Sequence, residues 1–302
     1  MELREAEYFI TIAHEGSLTR AAERLYVTQP TLTKYLQRLE TEAGVPLFQR
    51  VGHRLRLTYA GERCLYYAER LRQLNLELTN ELADIVRNDA GSLRIGMPPF
   101  RCSFVMPAVL PEFHRLYPNV AVTFMEESSA KLDAALLSGD IDLAFYNLSE
   151  PVPQLEYEVL ERDCVCAILP REHPLARTAR PAEDGGLPWI SLRDLAEETF
   201  ILQNRTQRLG RYILHTLREL DIRPKKVLES SNIRAAGLLA ASGYGVSFMS
   251  GGLLRHFEAR DRCAAFRLTD ATLPMDFVAA HRAGSYLPRC AGDLVELVKE
   301  RC

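Results

Sequence analysis

Apolar positions along the chain fall into three successive textures. The first is a pair of short helical repeats. Leu18, Ala21, Ala22 and Leu25 share one face of a helix that Ser17 is placed to cap, and the small Ala21 and Ala22 let a second helix approach closely. Tyr26 and Val27 make a turn. Thr28 caps the second helix, with Pro30 tolerated in its first turn because the amide it lacks is unpaired there anyway. Leu32, Leu36, Leu39 and Ala43 follow at helical spacing and are expected to pack inward. Gln29, Thr31, Thr33, Lys34, Gln37 and Arg38 project elsewhere. The second texture is one long helix from Tyr59 to Arg87 carrying an apolar stripe of Leu71, Leu74, Leu78, Leu82 and Ile85. Asn88 to Gly91 ends it and reads as a hinge.

Beyond Gly91 strands and helices alternate. Leu93–Gly96, Val120–Met125 and Ile141–Phe145 read as strands, and Phe104–Leu116 and Ala130–Leu137 as helices between them. Val165–Leu169, Phe200–Leu202, Leu209–Leu220, Ala235–Ala241 and Gly243–Phe248 continue the rhythm, and Ala291–Arg301 closes it. Such alternation predicts parallel sheets covered by helices. The stretch is too long for one such unit, so two lobes are expected: residues 91–162 with 268–302, and residues 163–267. Ligands in open α/β sheets sit beyond the carboxyl ends of strands, which makes the cleft between lobes the expected binding site.

Charge sharpens the picture of the first region. The chain of 302 residues has a formal net charge of −3. Yet Ser17 to Thr58 holds seven Lys or Arg against three Asp or Glu, so positive charge is concentrated around the second helix and the basic loop after it. Local field governs docking on phosphate, not the total. Two short helices joined by a tight turn, then a basic loop, are what a protein needs to set one helix in the DNA major groove. Gln29, Thr31 and Lys34 suit base edges. Thr33, Lys34, Arg38, Arg50 and Arg54 suit phosphates, with Pro30 in the same first turn. Met1-Glu2-Leu3-Arg4-Glu5 opens with charge, unlike a signal peptide, and no apolar run approaches the length of a membrane span, so a cytoplasmic protein is expected. The seven cysteines are odd in number and scattered, as reduced thiols would be.

These pieces resemble the LysR-type transcriptional regulators. The matching segments are Phe9 and Ala13, Gly16-Ser17-Leu18, Ala21-Ala22-Glu23-Arg24-Leu25, Thr28-Gln29-Pro30, Leu39-Glu40, Gly44-Val45-Pro46-Leu47-Phe48, and Leu57-Thr58-Tyr59-Ala60-Gly61-Glu62. The resemblance implies an α/β protein overall. Its parts would be an all-α winged helix-turn-helix over residues 1–58, a linker and dimerisation helix with hinge over 59–90, and a two-lobed α/β effector-binding domain over 91–302, itself resembling periplasmic solute-binding proteins. It implies a homodimer or homotetramer joined through Leu71, Leu74, Leu78, Leu82 and Ile85. The implied partners are double-stranded DNA at an inverted repeat, a small-molecule effector and RNA polymerase. No membrane, cofactor, metal or catalytic residue is implied.

Loops at the strand ends name the candidate effector contacts. Phe100, Arg101 and Ser103 lie in the loop expected after the first strand, Ser129 follows the second, where Ser128 and Ser129 are placed to cap a helix, and Asn147 follows the third. Gln203 and Asn204, with Arg205 and Thr206, open the second lobe's helix. Helix starts with Arg101 and Ser103 beside them would hold an anion or carboxylate. Cys102, beside Arg101 and near a helix start, is the candidate for a reactive thiol, which keeps a thiol-responsive regulator open as an alternative. Cys164 and Cys166, with His173 nearby, read as ordinary buried cysteines whose thiols do not converge on a ligand. No nucleophile elbow or HExxH sequence occurs, so no enzyme is expected. A pure solute-binding module is the remaining rival, disfavoured by the first region.

Overall fold

The computed structural model of the chain describes residues 2–52, 54–85, 90–148, 150–183, 185–205, 207–271 and 273–301, without the side chains at 80, 83–90 and 178. His53, Thr206, the expected hinge at Asn88 and Asp89, and the Ile85 side chain lie outside what is described. The chain divides into two units, Met1–Gly91 and Ser92–Cys302. No helix among the described residues is long and apolar enough to cross a membrane.

The first unit runs α1 (Leu3–Glu15), α2 (Leu18–Arg24), α3 (Gln29–Ala43), β1 (Phe48–Val51), β2 (Arg54–Leu57) and α4 (Tyr59–Ile85). Glu2 and Glu5 cap the start of α1 reciprocally, and Gly16 ends it at φ 57°, a left-handed conformation that suits glycine. Ser17 accepts from the Arg20 amide at the start of α2, as expected. Phe9, Ile12, Ala21, Leu32, Leu36, Leu47 and Ala68 are buried together, so the three short helices close on the root of α4. Two expectations fail here. Thr28 makes no side-chain cap; its hydroxyl pairs instead with that of Thr31 at 2.8 Å. Ala43 is exposed along with Thr41 and Glu42, because the last turn of α3 runs past the surface that the first turns bury.

β3 (Ala90–Met97) leads into the second unit, followed by α5 (Pro99–Leu116), β4 (Asn119–Glu126), α6 (Ser129–Ser138), β5 (Leu143–Leu148) and β6 (Leu155–Glu161). Next come β7 (Val165–Pro170), α7 (Pro174–Thr178), β8 (Trp189–Ile190), β9 (Thr199–Gln203), α8 (Arg208–Glu219), β10 (Lys226–Ser230), α9 (Ile233–Ala241), β11 (Val246–Ser250), α10 (Gly251–Arg255) and β12 (Cys263–Leu268). The chain then returns through β13 (Asp276–Arg282) to α11 (Arg289–Arg301). One sheet has the order β4-β3-β5-β13-β6 and the other β10-β9-β11-β7-β12-β8.

Both sheets are mixed, not purely parallel. β3 and β5 run parallel, as do β9, β10 and β11, while β13 lies antiparallel between β5 and β6, and β7 antiparallel between β11 and β12. The two antiparallel strands follow the two passages of the chain between lobes. Those passages are themselves joined: the Val165 amide donates to the Leu273 carbonyl and the Met275 amide to the Asp163 carbonyl, each at 2.9 Å. Each sheet is covered on both faces, the first by α5 and α11 opposite α6, which leaves ligand space only at strand ends.

Candidate functional site

Two sites can be built from these elements. In the first unit α3 has two chemically distinct sides. Leu32, Tyr35 and Leu36 are buried, and the Tyr35 hydroxyl donates to the Glu5 carbonyl at 2.7 Å, bolting the helix to α1. Burial pushes the Tyr35 hydroxyl's pKa up, so it stays a neutral donor. Gln29, Pro30, Thr31 and Lys34 are exposed on the other side; Thr33 is half-buried, its hydroxyl donating to the Gln29 carbonyl at 3.0 Å. Arg38 is exposed too, but its guanidinium is engaged by the Glu5 carboxylate and lies near Glu42, so it braces α3 against α1 before it can reach anything else.

The basic loop is an antiparallel ribbon in which Val51 pairs with Arg54. Arg50 and Arg54 are exposed on it. Its root is held by Glu40, whose Oε1 accepts from the Leu47 and Phe48 amides at 2.7 and 3.0 Å. Sequence patterning had not singled out Glu40 for this task, because an acidic residue in a basic region carries no periodic signal. The start of α4 packs against the same root. A Cβ on Gly61 would fall 2.0 Å from the Leu47 carbonyl oxygen, so this approach requires glycine. Along α4 the stripe divides: Leu71 packs on the unit's own core, whereas Leu74, Leu78 and Leu82 are 52–56% exposed. Leu71 therefore has an intramolecular partner, contrary to expectation, and the other three have none within the described unit.

In the second unit a cavity of about 630 Å³ opens beyond the strand ends of both sheets. Phe100, Arg101, Ser103, Ser129, Asn147, Gln203 and Asn204 all line it. The first three do not sit in a loop: α5 starts at Pro99, because proline is well suited to a first helical turn. Arg101 is only 2% exposed, its Nη2 donating to Asn147 Oδ1 at 2.9 Å and its guanidinium lying 3.8 Å from the centre of the Phe277 ring. Asn147 in turn donates to the Met275 carbonyl at 2.5 Å, so this pair ties α5 to the passage between lobes. The Ser103 hydroxyl donates to the Phe100 carbonyl. Ser128 makes no side-chain cap, contrary to expectation.

A second buried charge on the wall was not evident in the sequence. Arg208, in the first turn of α8, pairs with Asp133 of α6, which also accepts from the Tyr146 hydroxyl at 2.5 Å. This pair spans the two lobes. The strand-end rule that singled out Gln203 and Asn204 extends to that turn. Its signal is Gly210, where a Cβ would lie 2.0 Å from the Gln203 carbonyl oxygen; glycine there presses the turn onto the end of β9.

The cysteines divide differently from expectation. Cys102 is buried, and burial, with the Glu126 carboxylate nearby, pushes its pKa up to about 11, opposite to what a sensor thiol needs. Cys164 and Cys166 do meet, because residues two apart along an extended chain share a face. The Cys166 thiol donates to the Cys164 carbonyl at 3.8 Å, and its side-chain hydrogen bond with the Cys164 thiol pulls that thiol down to about 7 against its own burial, while Cys166 is pushed up. His173 accepts from the Leu175 amide and faces Glu198, and no metal-ligating cluster of three occurs among the described residues.

Comparison with known proteins matches the chain in two parts. Residues 3–62 match the family model described as bacterial regulatory helix-turn-helix protein, lysR family, and residues 87–302 match the LysR substrate binding domain. The chain is 30% identical over 254 residues to a probable RuBisCO transcriptional regulator of Trieres chinensis, covering 82% of this chain and 80% of that one. It is 30% identical over 281 residues to the HTH-type transcriptional regulator YwqM of Bacillus subtilis (strain 168), covering 91% and 89%. Among solved structures, a full-length OxyR variant from Pseudomonas aeruginosa superposes with a TM-score of 0.72 at 24% identity, covering 99% and 95%. Full-length CbnR in complex with its target DNA superposes with a TM-score of 0.61 at 22% identity, covering both chains fully. At these identities the two structures establish the fold.

Proposed function

Since the chain belongs to the LysR family of bacterial regulatory helix-turn-helix proteins, we propose how this DNA-binding, effector-controlled transcriptional regulator divides its work among named residues. The observation that carries the proposal is the two-sided α3, leucines and Tyr35 buried behind and an exposed polar face in front, beside a basic ribbon held by Glu40. Gln29, Thr31 and Lys34 read base edges. Lys34, Arg50 and Arg54 hold phosphates, with Thr33 and Arg38 secondary because both are engaged within the protein.

Leu74, Leu78 and Leu82 join two copies of α4, so that two recognition helices meet an inverted repeat. A small molecule in the cleft of residues 91–302 binds one arrangement of the lobes better than the other. That difference, typically about 1–3 kcal/mol, biases the paired DNA-binding units and their contact with RNA polymerase. A cytoplasmic site of action goes with that role, and no catalytic step is assigned to the cleft. Incubating the full chain with genomic fragments at low ionic strength tests the proposal: discrete retarded complexes are expected, and no retardation of any fragment contradicts it.

A further inference from the structure

The turn between α2 and α3 holds a large side chain where the backbone favours none. The Tyr26 amide donates to the Glu23 carbonyl at 3.2 Å and the Val27 amide to the Ala22 carbonyl at 3.0 Å. That pair of bonds closes α2 and sets Tyr26 in a left-handed conformation, a place usually filled by glycine because a Cβ crowds it. α1, α3 and α6 end in this conformation on Gly16, Gly44 and Gly139. α2 ends on Tyr26, at φ 54°. Among the described residues the other non-glycine at positive φ is Asp221, a type that tolerates it. No packing offsets the strain at Tyr26. Its side chain is 96% exposed, more than that of any other large apolar residue among those described, and its ring and hydroxyl have no partner there. Leu25 and Val27 on either side pack on the core, so the turn is fixed and the phenol stands outside it. Strain kept to hold out an exposed side chain points to something beyond the chain that the side chain meets.

Its place says what that is. Tyr26 stands three residues before Gln29, where α3 begins, and Thr28, Gln29, Pro30 and Thr31 continue the exposed surface. In DNA-binding units of two helices and a tight turn, the first helix crosses the sugar-phosphate backbone and the second enters the groove, so the turn lies at the groove's edge. The charges beside Tyr26 balance: Arg20 and Arg24 face Glu15, and Glu23 is exposed next to them. With no surplus cation to draw a phosphate, the contact available is a directional hydrogen bond, and a tyrosine hydroxyl is among the donors that phosphate oxygens accept from. We propose that Tyr26 docks the turn on DNA, its hydroxyl donating to a backbone phosphate at the edge of the groove that α3 enters. This rests on the reading of α3 as the groove-entering helix.

The test titrates the full-length chain and its Tyr26→Phe and Tyr26→Gly variants onto the genomic fragment that the unaltered chain retains most strongly, at several salt concentrations. Each protein is also melted without DNA. Tyr26→Phe keeps the ring and loses the donor, and affinity falls about tenfold or more. The slope of log affinity against log salt stays in place, because a phenol neutralises no phosphate charge and releases no counterion. The bases preferred in a pool of fragments also stay the same, as for any phosphate contact. Tyr26→Gly loses at least as much affinity yet melts no lower than the unaltered chain, because glycine relieves the left-handed turn. A tyrosine serving the fold would do the opposite, its removal lowering Tm. Full affinity in either variant, a changed salt slope or base preference in Tyr26→Phe, or a lower Tm in Tyr26→Gly overturns the proposal. In each of these outcomes the unaltered chain still retains its fragment, so the regulator stands; a full chain that retains no fragment removes both.

Discussion

At the residue scale, the side chains that hold the sites together have partners hidden from the sequence. Glu40 is the clearest case: one carboxylate oxygen closes two amides at the root of the ribbon. Glu40→Gln keeps the shape but replaces a charged acceptor with a neutral one. Hydrogen bonds to charged groups contribute about 1.5–3 kcal/mol, so a loss of roughly 1–2 kcal/mol in the unfolding free energy of the first unit is expected by denaturant titration. Arg54 sits on the exposed ribbon, and Arg54→Ala weakens binding to every DNA sequence and lowers the slope of log affinity against log salt by about 1. An unchanged slope would sink its role on phosphate. The thiols make a third prediction. With Cys164 lowered to about 7 and Cys102 raised to about 11, brief alkylation at pH 7.5 labels Cys164 well before Cys102, as peptide mass spectrometry reads. Early labelling of Cys102 would restore it as a sensor candidate.

At the scale of elements, period and capping residues were legible where a helix packs on its immediate neighbours. Leu32 and Leu36 announce the buried side of α3 because each turn repeats the same environment. The pattern misleads where the environment stops. Ala43 keeps the spacing after the packing surface has ended, and Leu71 keeps the rhythm of a stripe it does not share. Pro98-Pro99 reads as a loop yet starts an 18-residue helix, because the break a proline makes depends on where the helix begins. Alternation told strands from helices but not parallel from antiparallel, since the direction of β7 and β13 is set by passages between lobes. The exposed part of α4 carries its own test. Leu74→Ser with Leu78→Ser and Leu82→Ser leaves the described core untouched and is expected to shift the sedimenting species toward monomer. An unchanged mass would mean that the copies meet elsewhere.

For the whole molecule, the family's shape was legible in its short signatures, and the chemistry of this member was not. Gln203 and Asn204 could be found because strand ends in α/β sheets collect ligands, but Arg208 needs Asp133, which lies on the other lobe and far away in sequence. Contacts of that kind exist only once both sheets are folded and the chain has passed between them twice. The same holds for Asp163, whose carbonyl joins the two passages and whose carboxylate accepts from the Gly251 and Gly252 amides at 2.9 and 2.8 Å. A regulator built this way reads DNA with one surface and a small molecule with another. In the proposed reading the first surface decides where it binds, the front of α3 choosing the sequence. The direct measurement is to sequence the genomic fragments retained by the full chain and by its Gln29→Ala variant from one common pool. The chain is predicted to enrich an inverted repeat, and the variant to relax or change the base at one position of each half-site, at a cost of about 1–3 kcal/mol for the original base. Identical enriched sequences from both proteins, or none above the input pool, would contradict it.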